Sequence, residues 1–396
     1  MGRKLLFAVN EPYFFVSHRL DLALGAKAVG YEVHVAAPDE NVWSPEGFNT
    51  RPFFASHGII YHDIPMTRRG MNPLEEWVTA RSLCRLYRKI SPDIVHHITA
   101  KLVVYGGFAA RVAGIPAVVS AFPGLGHYFS ASGLSELLVR WFLVQGYRVV
   151  TGHQNSWAII QNPDDAKTLE SLGVIHPNRT LITRGSGVSL DEFKPSAPPE
   201  GPPLVVLPAR MIWEKGVGEF VEVARQLRGS NLGIRFALVG NTHPSNPRAV
   251  PEKLLKAWHE EGLVEWWGRR DDMPAVIAAA HVICLPSTYG EGIPKVLLEA
   301  AASGRPIVTY DVPGCRETVI DGVSGILVPR DDRKTLARVI QRLLEDRQLC
   351  VRMGREARAL AESEFGVERV IEQTLGVYEK LLLSDLPHEE NSTVSQ

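Results

Sequence analysis

What most restricts the fold of this chain is a regular alternation of short β-branched or apolar runs with segments of helical periodicity, carried through twice and broken once. In the first half KLLFAVN (4–10), EVHVAAP (32–38), GIIYHDIP (58–65), DIVHHI (93–98), AVVSAF (117–122) and WAIIQN (157–162) read as strands. Helices are expected at Arg19–Gly30, Pro73–Ile90 and Gly133–Gln145. Strands separated in this way by helices are the pattern of parallel βαβ layers. SAPPEGPP (196–203), rich in proline and short polar residues, interrupts it with the composition of a linker. The pattern restarts with LVVLPAR (204–210), RFALVG (235–240), VEWWG (264–268), HVICLPS (281–287) and PIVTYD (306–311), with helices at 216–228, 251–261 and 294–303. Helical segments at Arg333–Glu362 and Val367–Leu383 precede a polar tail. The fold class is therefore α/β, in two layers joined by a linker.

The bulk properties agree. A chain of 396 residues exceeds one ordinary core, and two domains are expected. It is 45% hydrophobic and 22% charged, a globular composition. A net charge of −1 argues against a dedicated nucleic-acid binder. Residues 1–190 hold 18 basic against 14 acidic side chains, and the remainder 25 against 30. A mildly basic N-terminal half suits a polyanionic or membrane-surface partner, although so small an excess also arises by chance. Cys84, Cys284, Cys315 and Cys350 show no metal-ligand spacing and read as reduced thiols of a cytosolic protein. The apolar run at the N-terminus is too short for a signal peptide, and no window reaches the ~20 apolar residues of a membrane span. A soluble or peripheral, cytoplasmic protein is expected.

The chemistry concentrates in Tyr289-Gly290-Glu291-Gly292-Ile293-Pro294-Lys295-Val296-Leu297-Leu298-Glu299. A strand ends near Ser287, a glycine-bearing turn follows, and Pro294 stands where the first helical residue is expected. The first-turn N–H groups of a helix lack internal partners and carry the positive end of its dipole, so they can receive a diphosphate. Eight residues separate Glu291 from Glu299, up to ~12 Å at helical rise, about the span from a hexose across a diphosphate to a ribose. Spacing alone leaves a second reading equally open, a strand–turn–helix junction with two surface glutamates. A second stretch, Pro208–Gly216, follows the first strand of the second half and carries Arg210 and Lys215. The two cations could converge on one diphosphate, Arg as a fork and Lys as a point charge. Solvated surface charges are the alternative.

Taken in order, Arg210…Lys215-Gly216, the strand ending at Gly240, Glu291-x7-Glu299, Asp311-x-x-Gly314-x-x-Glu317 and Asp321-Gly322-x-x-Gly325-x-Leu327-Val328 resemble the retaining glycosyltransferases of GT-B fold, family 4. In the first half Phe14–Leu20, Arg69–Leu74, Pro92–His96 and Pro123-Gly124-Leu125-Gly126 resemble the subgroup, N-acetylhexosaminyltransferases among them, that extends undecaprenyl-diphosphate-linked sugars in bacterial surface-polysaccharide or glycan assembly. The resemblance implies two Rossmann-like domains facing a cleft: an acceptor domain at 1–190, a linker at 191–203 and a nucleotide-sugar domain at 204–366. It also implies a helix at 367–385 crossing back to the first domain, and a tail at 386–396.

By the same resemblance Glu291 faces the donor hexose, Glu299 the ribose, and Arg210 and Lys215 the diphosphate. Backbone around Gly292, Ile293, Pro294 and Lys295 completes a cradle, although Pro294 has no N–H to give. The implied reaction is front-face substitution, using no cofactor, metal or protein nucleophile. A hexose or N-acetylhexosamine would pass from a nucleotide sugar, with uridine favoured, to a lipid-linked sugar. On the acceptor side the subgroup resemblance implies the turn of Gly124 and Gly126, with His127 beside it, while His18 and Arg19 are expected in the first strand–helix turn, where they could meet an acceptor diphosphate. The family's histidine after the strand 117–122 is replaced here by Phe122-Pro123, and whether His127 substitutes for it stays open. His96 and His97 read as inward-pointing core residues. A lipid-linked acceptor implies contact with the inner leaflet, for which Arg81, Arg85, Arg88, Lys89, Arg140, Trp141 and Phe142 are candidates beside the reading of a solvated helix end and a core helix. Two other functions fit the fold: a nucleotide-sugar 2-epimerase and a non-catalytic nucleotide-sugar-binding subunit.

Overall fold

The computed structural model describes residues 2–39, 47–67, 72–126, 129, 133–243 and 246–383. Its first sheet runs β3-β2-β1-β4-β5-β6-β7, from β1 (Lys4–Ala8), β2 (Glu32–Ala37), β3 (Ile60–Asp63), β4 (Ile94–Ile98), β5 (Ala117–Phe122), β6 (Ser156–Ile160) and β7 (Thr180–Ile182). The second runs β10-β9-β8-β11-β12-β13, from β8 (Leu204–Pro208), β9 (Arg235–Val239), β10 (Glu265–Gly268), β11 (Val282–Leu285), β12 (Ile307–Tyr310) and β13 (Gly325–Val328). Every described strand pair is parallel. The central strands are buried on both faces, as in Leu5–Phe7, Val205–Leu207 and Ile283–Leu285. That is why they read as unbroken apolar runs rather than alternating ones.

Strand order reverses between β1 and β4 in one sheet and between β8 and β11 in the other. At such a switch point the carboxyl ends of the strands leave a crevice. Asn10, Glu11 and Thr99 line the crevice of the first sheet and Pro208–Arg210 and Tyr289–Glu291 that of the second, and both sets face one cleft.

Several local expectations need correction. The first helix begins at Pro12, not Arg19, and runs to Ala28. Pro12 takes the first helical position, and the Glu11 carboxylate accepts from the Tyr13 and Phe14 amides at 3.2 and 2.6 Å. The segment Arg333–Glu362 is two helices, Arg333–Glu345 and Arg347–Leu360, the second passing into a π-helical turn, Ala361–Phe365. Asp346 separates the two, because its side chain accepts from the Leu349 amide at 2.9 Å and caps the second. The helix expected to end at Gln145 is Leu134–Thr151. Helices Thr50–Ser56, Ala100–Ala113, Pro163–Ser171 and Met273–Ala279 and strands β7 and β13 had no counterpart in the sequence reading.

The segment joining the sheets is fastened to the second. Arg305, 2% exposed, donates to Ser196 O at 2.8 Å, Ser196 Oγ at 2.7 Å and Ala197 O at 3.2 Å. At the other end of the second sheet, Val188 and Phe365–Val367 exchange main-chain hydrogen bonds, and the helix Val367–Leu383 then lies on the first domain against Pro12–Ala28. Its Tyr378 packs among Phe7, Phe15 and Ile98 with its hydroxyl 2.6 Å from His96 Nδ1. A Cβ at Gly25 would lie 2.6 Å from Ile371, so the two helices approach closely.

Candidate active site

After β11 the chain passes through Ser287 and the loop Tyr289–Pro294 into the helix Lys295–Ala302. Pro294 is the N-cap of that helix rather than its first residue. The Glu291 carboxylate, almost out of water, takes the Ser287 hydroxyl at 2.7 Å on one oxygen and the Lys215 ammonium on the other. Lys215 ends the 3-10 turn Trp213–Lys215 after β8. Gly216 must follow it: its φ is +75°, and a Cβ there would sit 1.9 Å from the Pro286 carbonyl. Burial, the largest single influence, would lower the Lys215 pKa, but the Glu291 charge, Tyr289 and the hydrogen bond to Glu291 together outweigh it and hold the ammonium above its ordinary range. Arg210, exposed at the rim, lines the same cleft.

Glu299 also lines the cleft, yet it is 8% exposed. Burial pushes its carboxyl up to about 7, with Lys295 opposing and Glu192 adding to the shift. Lys295 Nζ is 3.9 Å from Glu299 and donates to the Ser17 carbonyl of the first domain at 2.7 Å. The Ile293 amide, expected to be open to a ligand, is taken by Gln161 Oε1 at 3.1 Å. Gly292 is pressed between domains: a Cβ there would lie 2.0 Å from the Pro123 carbonyl oxygen. Beneath it Gly314, whose N–H donates to Glu317 at 2.6 Å, has φ +84° and runs under the Glu291 and Gly292 carbonyls.

On the opposite wall His18 faces the cleft from the middle of the helix Pro12–Ala28, not from a turn. It stacks on Phe14 with ring centroids 4.4 Å apart, and its Nδ1 is 2.7 Å from Ser17 Oγ. Burial first, then the charges of Lys295 and Arg19, pushes its pKa to about 3, so the ring is neutral at physiological pH. Arg19 departs from expectation. It is 4% exposed and does not line the cleft; one position round the helix from His18, it points inward toward Tyr378 and His96. Gly124 and Gly126 line the cleft with φ of +133° and +68°, and Gly124 abuts the Gly292 amide. His127 and Arg69 lie outside the described residues. His96 and His97 are core residues, as expected, each bonded to a buried tyrosine.

The cleft these walls enclose has a volume of about 710 Å³, within the range of sites that take small molecules. Its chemistry is that of an anion and polyol receptor: Arg210, Lys215 and Lys295, the carboxylates of Glu291 and Glu299 in unlike environments, and a helix start share one wall. Two residues the sequence reading used only as strand, Gln161 and Asn162, turn out to touch the loop Tyr289–Pro294. Asn162-Pro163-Asp164-Asp165 is a helix-start signature that could have drawn attention to them. Arg269 also crosses the cleft, its guanidinium 5.0 Å from the Tyr13 ring.

Two parallel α/β domains facing a cleft of this kind define the GT-B class of glycosyltransferases. Both halves of the chain match glycosyltransferase families: residues 189–360 match "Glycosyl transferases group 1", and residues 4–151 match "Glycosyl transferase 4-like". It is 26% identical over 337 residues, 82% of this chain and 86% of the relative, to the N,N'-diacetylbacillosaminyl-diphospho-undecaprenol alpha-1,3-N-acetylgalactosaminyltransferase of Campylobacter jejuni. With the UDP-Gal:alpha-D-GlcNAc-diphosphoundecaprenol alpha-1,3-galactosyltransferase of Escherichia coli it shares 23% over 328 residues, 80% of this chain and 82% of that one. The crystal structure of Anabaena HepE in complex with UDP-glucose superposes with a TM-score of 0.76 at 19% identity, over 95% of this chain and 99% of that one. The chain is thus a hexosyltransferase, and the epimerase alternative finds no support among its relatives.

Proposed function

We propose that this enzyme moves a hexose or N-acetylhexosamine, with retention, from a UDP-sugar to a sugar carried on undecaprenyl diphosphate in surface-polysaccharide or glycan assembly. The observation that carries the proposal is the Lys215–Glu291 pair at the second switch point, facing His18 and Gly124 across the cleft. Lys215 and Arg210 bind the donor diphosphate, Glu291 the hexose hydroxyls and Glu299 the ribose diol. An arriving phosphate shares the Lys215 ammonium, which releases one Glu291 oxygen toward the sugar. As the bond from the anomeric carbon to the phosphate oxygen breaks, the two cations stabilise the charge left on the diphosphate. The acceptor oxygen bonds to that carbon from the same face, and its proton passes to the departing phosphate. The residues can thus meet the electrostatic demand of the step without a metal. Neutral His18 is suited to hydrogen bonding with the acceptor rather than to pairing with its charge.

The names of the Campylobacter and Escherichia relatives support the lipid-linked acceptor. So does the surface of the first domain. Among the described residues no helix is long and apolar enough to cross a membrane. The neighbouring helices Pro73–Ile90, Ala100–Ala113 and Leu134–Thr151 nevertheless leave large apolar side chains in water, with Trp141 56% and Phe142 67% exposed. Trp77 lies under the Arg81 guanidinium, 5.0 Å away. Aromatic and basic side chains on one set of helices suit the headgroup layer of an anionic leaflet, which supports a peripheral seat on the cytoplasmic face of the membrane.

Release of free nucleoside diphosphate from a panel of UDP- and GDP-sugars, with and without a polyprenyl-diphosphate-sugar acceptor, tests the reading. Acceptor-dependent release is expected from one UDP-sugar. Interconversion of donors without acceptor, or no turnover, would overturn it.

A further inference from the structure

Two adjacent side chains of the first domain reach into the donor-side loop, and the reaction as described above does not use them. Asn162 follows β6, is wholly buried, and caps the helix Pro163–Ser171: its Oδ1 accepts from the Asp165 amide at 2.8 Å. That bond settles which end of the side-chain amide is oxygen. Its Nδ2 therefore faces the other way. It donates to Asp165 Oδ2 at 2.9 Å and, across the domain boundary, to the main-chain carbonyls of Glu291 at 3.0 Å and Gly292 at 3.2 Å. Next to it Gln161, 5% exposed, holds the Ile293 amide. Three successive main-chain groups of the loop are thus gripped by the opposite domain. The fit is tight, since a Cβ on Gly124 would stand 2.6 Å from the Gly292 nitrogen.

We infer that Asn162 is a positioning residue for sugar transfer, tying the Glu291 carboxylate to the acceptor domain through the Glu291 and Gly292 carbonyls, and that Gln161 reserves the Ile293 amide until a donor phosphate oxygen takes it. The inference rests on the transferase reading above. A phosphate oxygen is a stronger acceptor for an N–H than a neutral amide oxygen. It displaces Gln161 while the Asn162 bonds persist. The first domain thereby registers that the second is loaded, and the loop keeps its place relative to the acceptor. Asp164 adds to the same seam through Arg316, 2.9 Å away, which also grips Asp311 at 2.7 Å.

The decisive variant is Asn162→Asp. Aspartate caps a helix as well as asparagine, so the Asp165 bond survives. The group facing the two carbonyls changes from donor to anion. The expected result is a fall in kcat of at least ~10-fold, toward the ~10²-fold that a misplacement of about 1 Å produces, with nucleotide affinity within about twofold of the parent. The ratio of variant to parent kcat should climb as pH falls, because a protonated carboxyl can donate again. Asp165, 2.9 Å from the substituted group, gains a like charge as well, so a purely structural role shows instead as a melting point that recovers at low pH while kcat of the folded variant equals the parent's. Gln161→Ala serves as the second variant and needs no turnover: it should bind UDP more tightly than the parent, having removed the competitor for the Ile293 amide. Parent-like kcat in a folded Asn162→Asp, or weakened UDP binding by Gln161→Ala, overturns the inference. A parent that binds UDP but transfers from no donor instead overturns the transferase reading, and the UDP titration still decides the role of Gln161.

Discussion

Lys215 and Glu291 form an ion pair nearly shielded from water, so removing either strands the other. Glu291→Ala and Lys215→Ala are each expected to lower kcat by at least ~10²-fold, the scale of losing a positioned electrostatic partner. The double substitution should lose little more than the worse single one, because the two act as a unit; steady-state kinetics of the three variants checks this. Glu299 poses a different problem. Its carboxyl in the fold titrates near 7 against an ordinary 4.5, so the folded chain holds a proton there that the unfolded chain has released. Stability therefore falls as pH rises from about 4.5 through about 7, and Glu299→Gln removes that slope. Melting curves should show the variant gaining on the parent as pH rises from about 4.5 to about 7 and keeping that gain above it. Donor affinity of the parent should rise as pH passes through about 7, since a diol donates to the ionised form, and the Gln variant should show no such rise. Neither residue's partners were legible in sequence. Type and spacing left a donor site and a pair of surface glutamates equally open; the Lys215–Glu291 bond joins residues 76 positions apart, which only the fold brings together.

The elements were legible where one strong local signal decided them. Pro73–Ile90 and Val367–Leu383 keep their expected bounds, the first because Asn72 and Pro73 open it. The breaks came from competition that periodicity does not register. Apolar spacing continues across Asp346, yet its side chain captures the Leu349 amide and starts a new helix. Asp346→Ala should cost about 1 kcal/mol of stability by loss of that cap, seen as a lower midpoint in denaturant unfolding with an unchanged slope. Burial was equally hidden in the case of Arg19, whose neighbour His18 lines the cleft while Arg19 itself packs inward. The helix Leu134–Thr151 reads as apolar enough for a core, yet the fold leaves Trp141 and Phe142 outside. If that face meets lipid, Trp141→Ala with Phe142→Ala should weaken co-sedimentation with anionic vesicles by about tenfold or more, as loss of two large apolar anchors implies. Transfer to a water-soluble acceptor analogue should stay at the parent level.

At the scale of the whole molecule, the architecture was the most legible feature of all, because two rounds of alternating strand and helix admit few folds. The connection of its far end was not readable from alternation: only the family resemblance pointed to Val367–Leu383 lying on the first domain. Tyr378 and Leu381 fill the core beside Phe7 and Phe15, residues laid down hundreds of positions earlier. The order of synthesis gives this packing a meaning of its own. As the chain leaves the ribosome, the first sheet is finished by Ile182, while the helix that roofs one of its faces is the last of the described elements to emerge. Throughout elongation of the second domain, that face stays open to water and to other nascent chains. A chaperone that shields an apolar sheet would find its substrate in this interval, and a stop codon shortly before Val367 should leave an aggregating product rather than a working half.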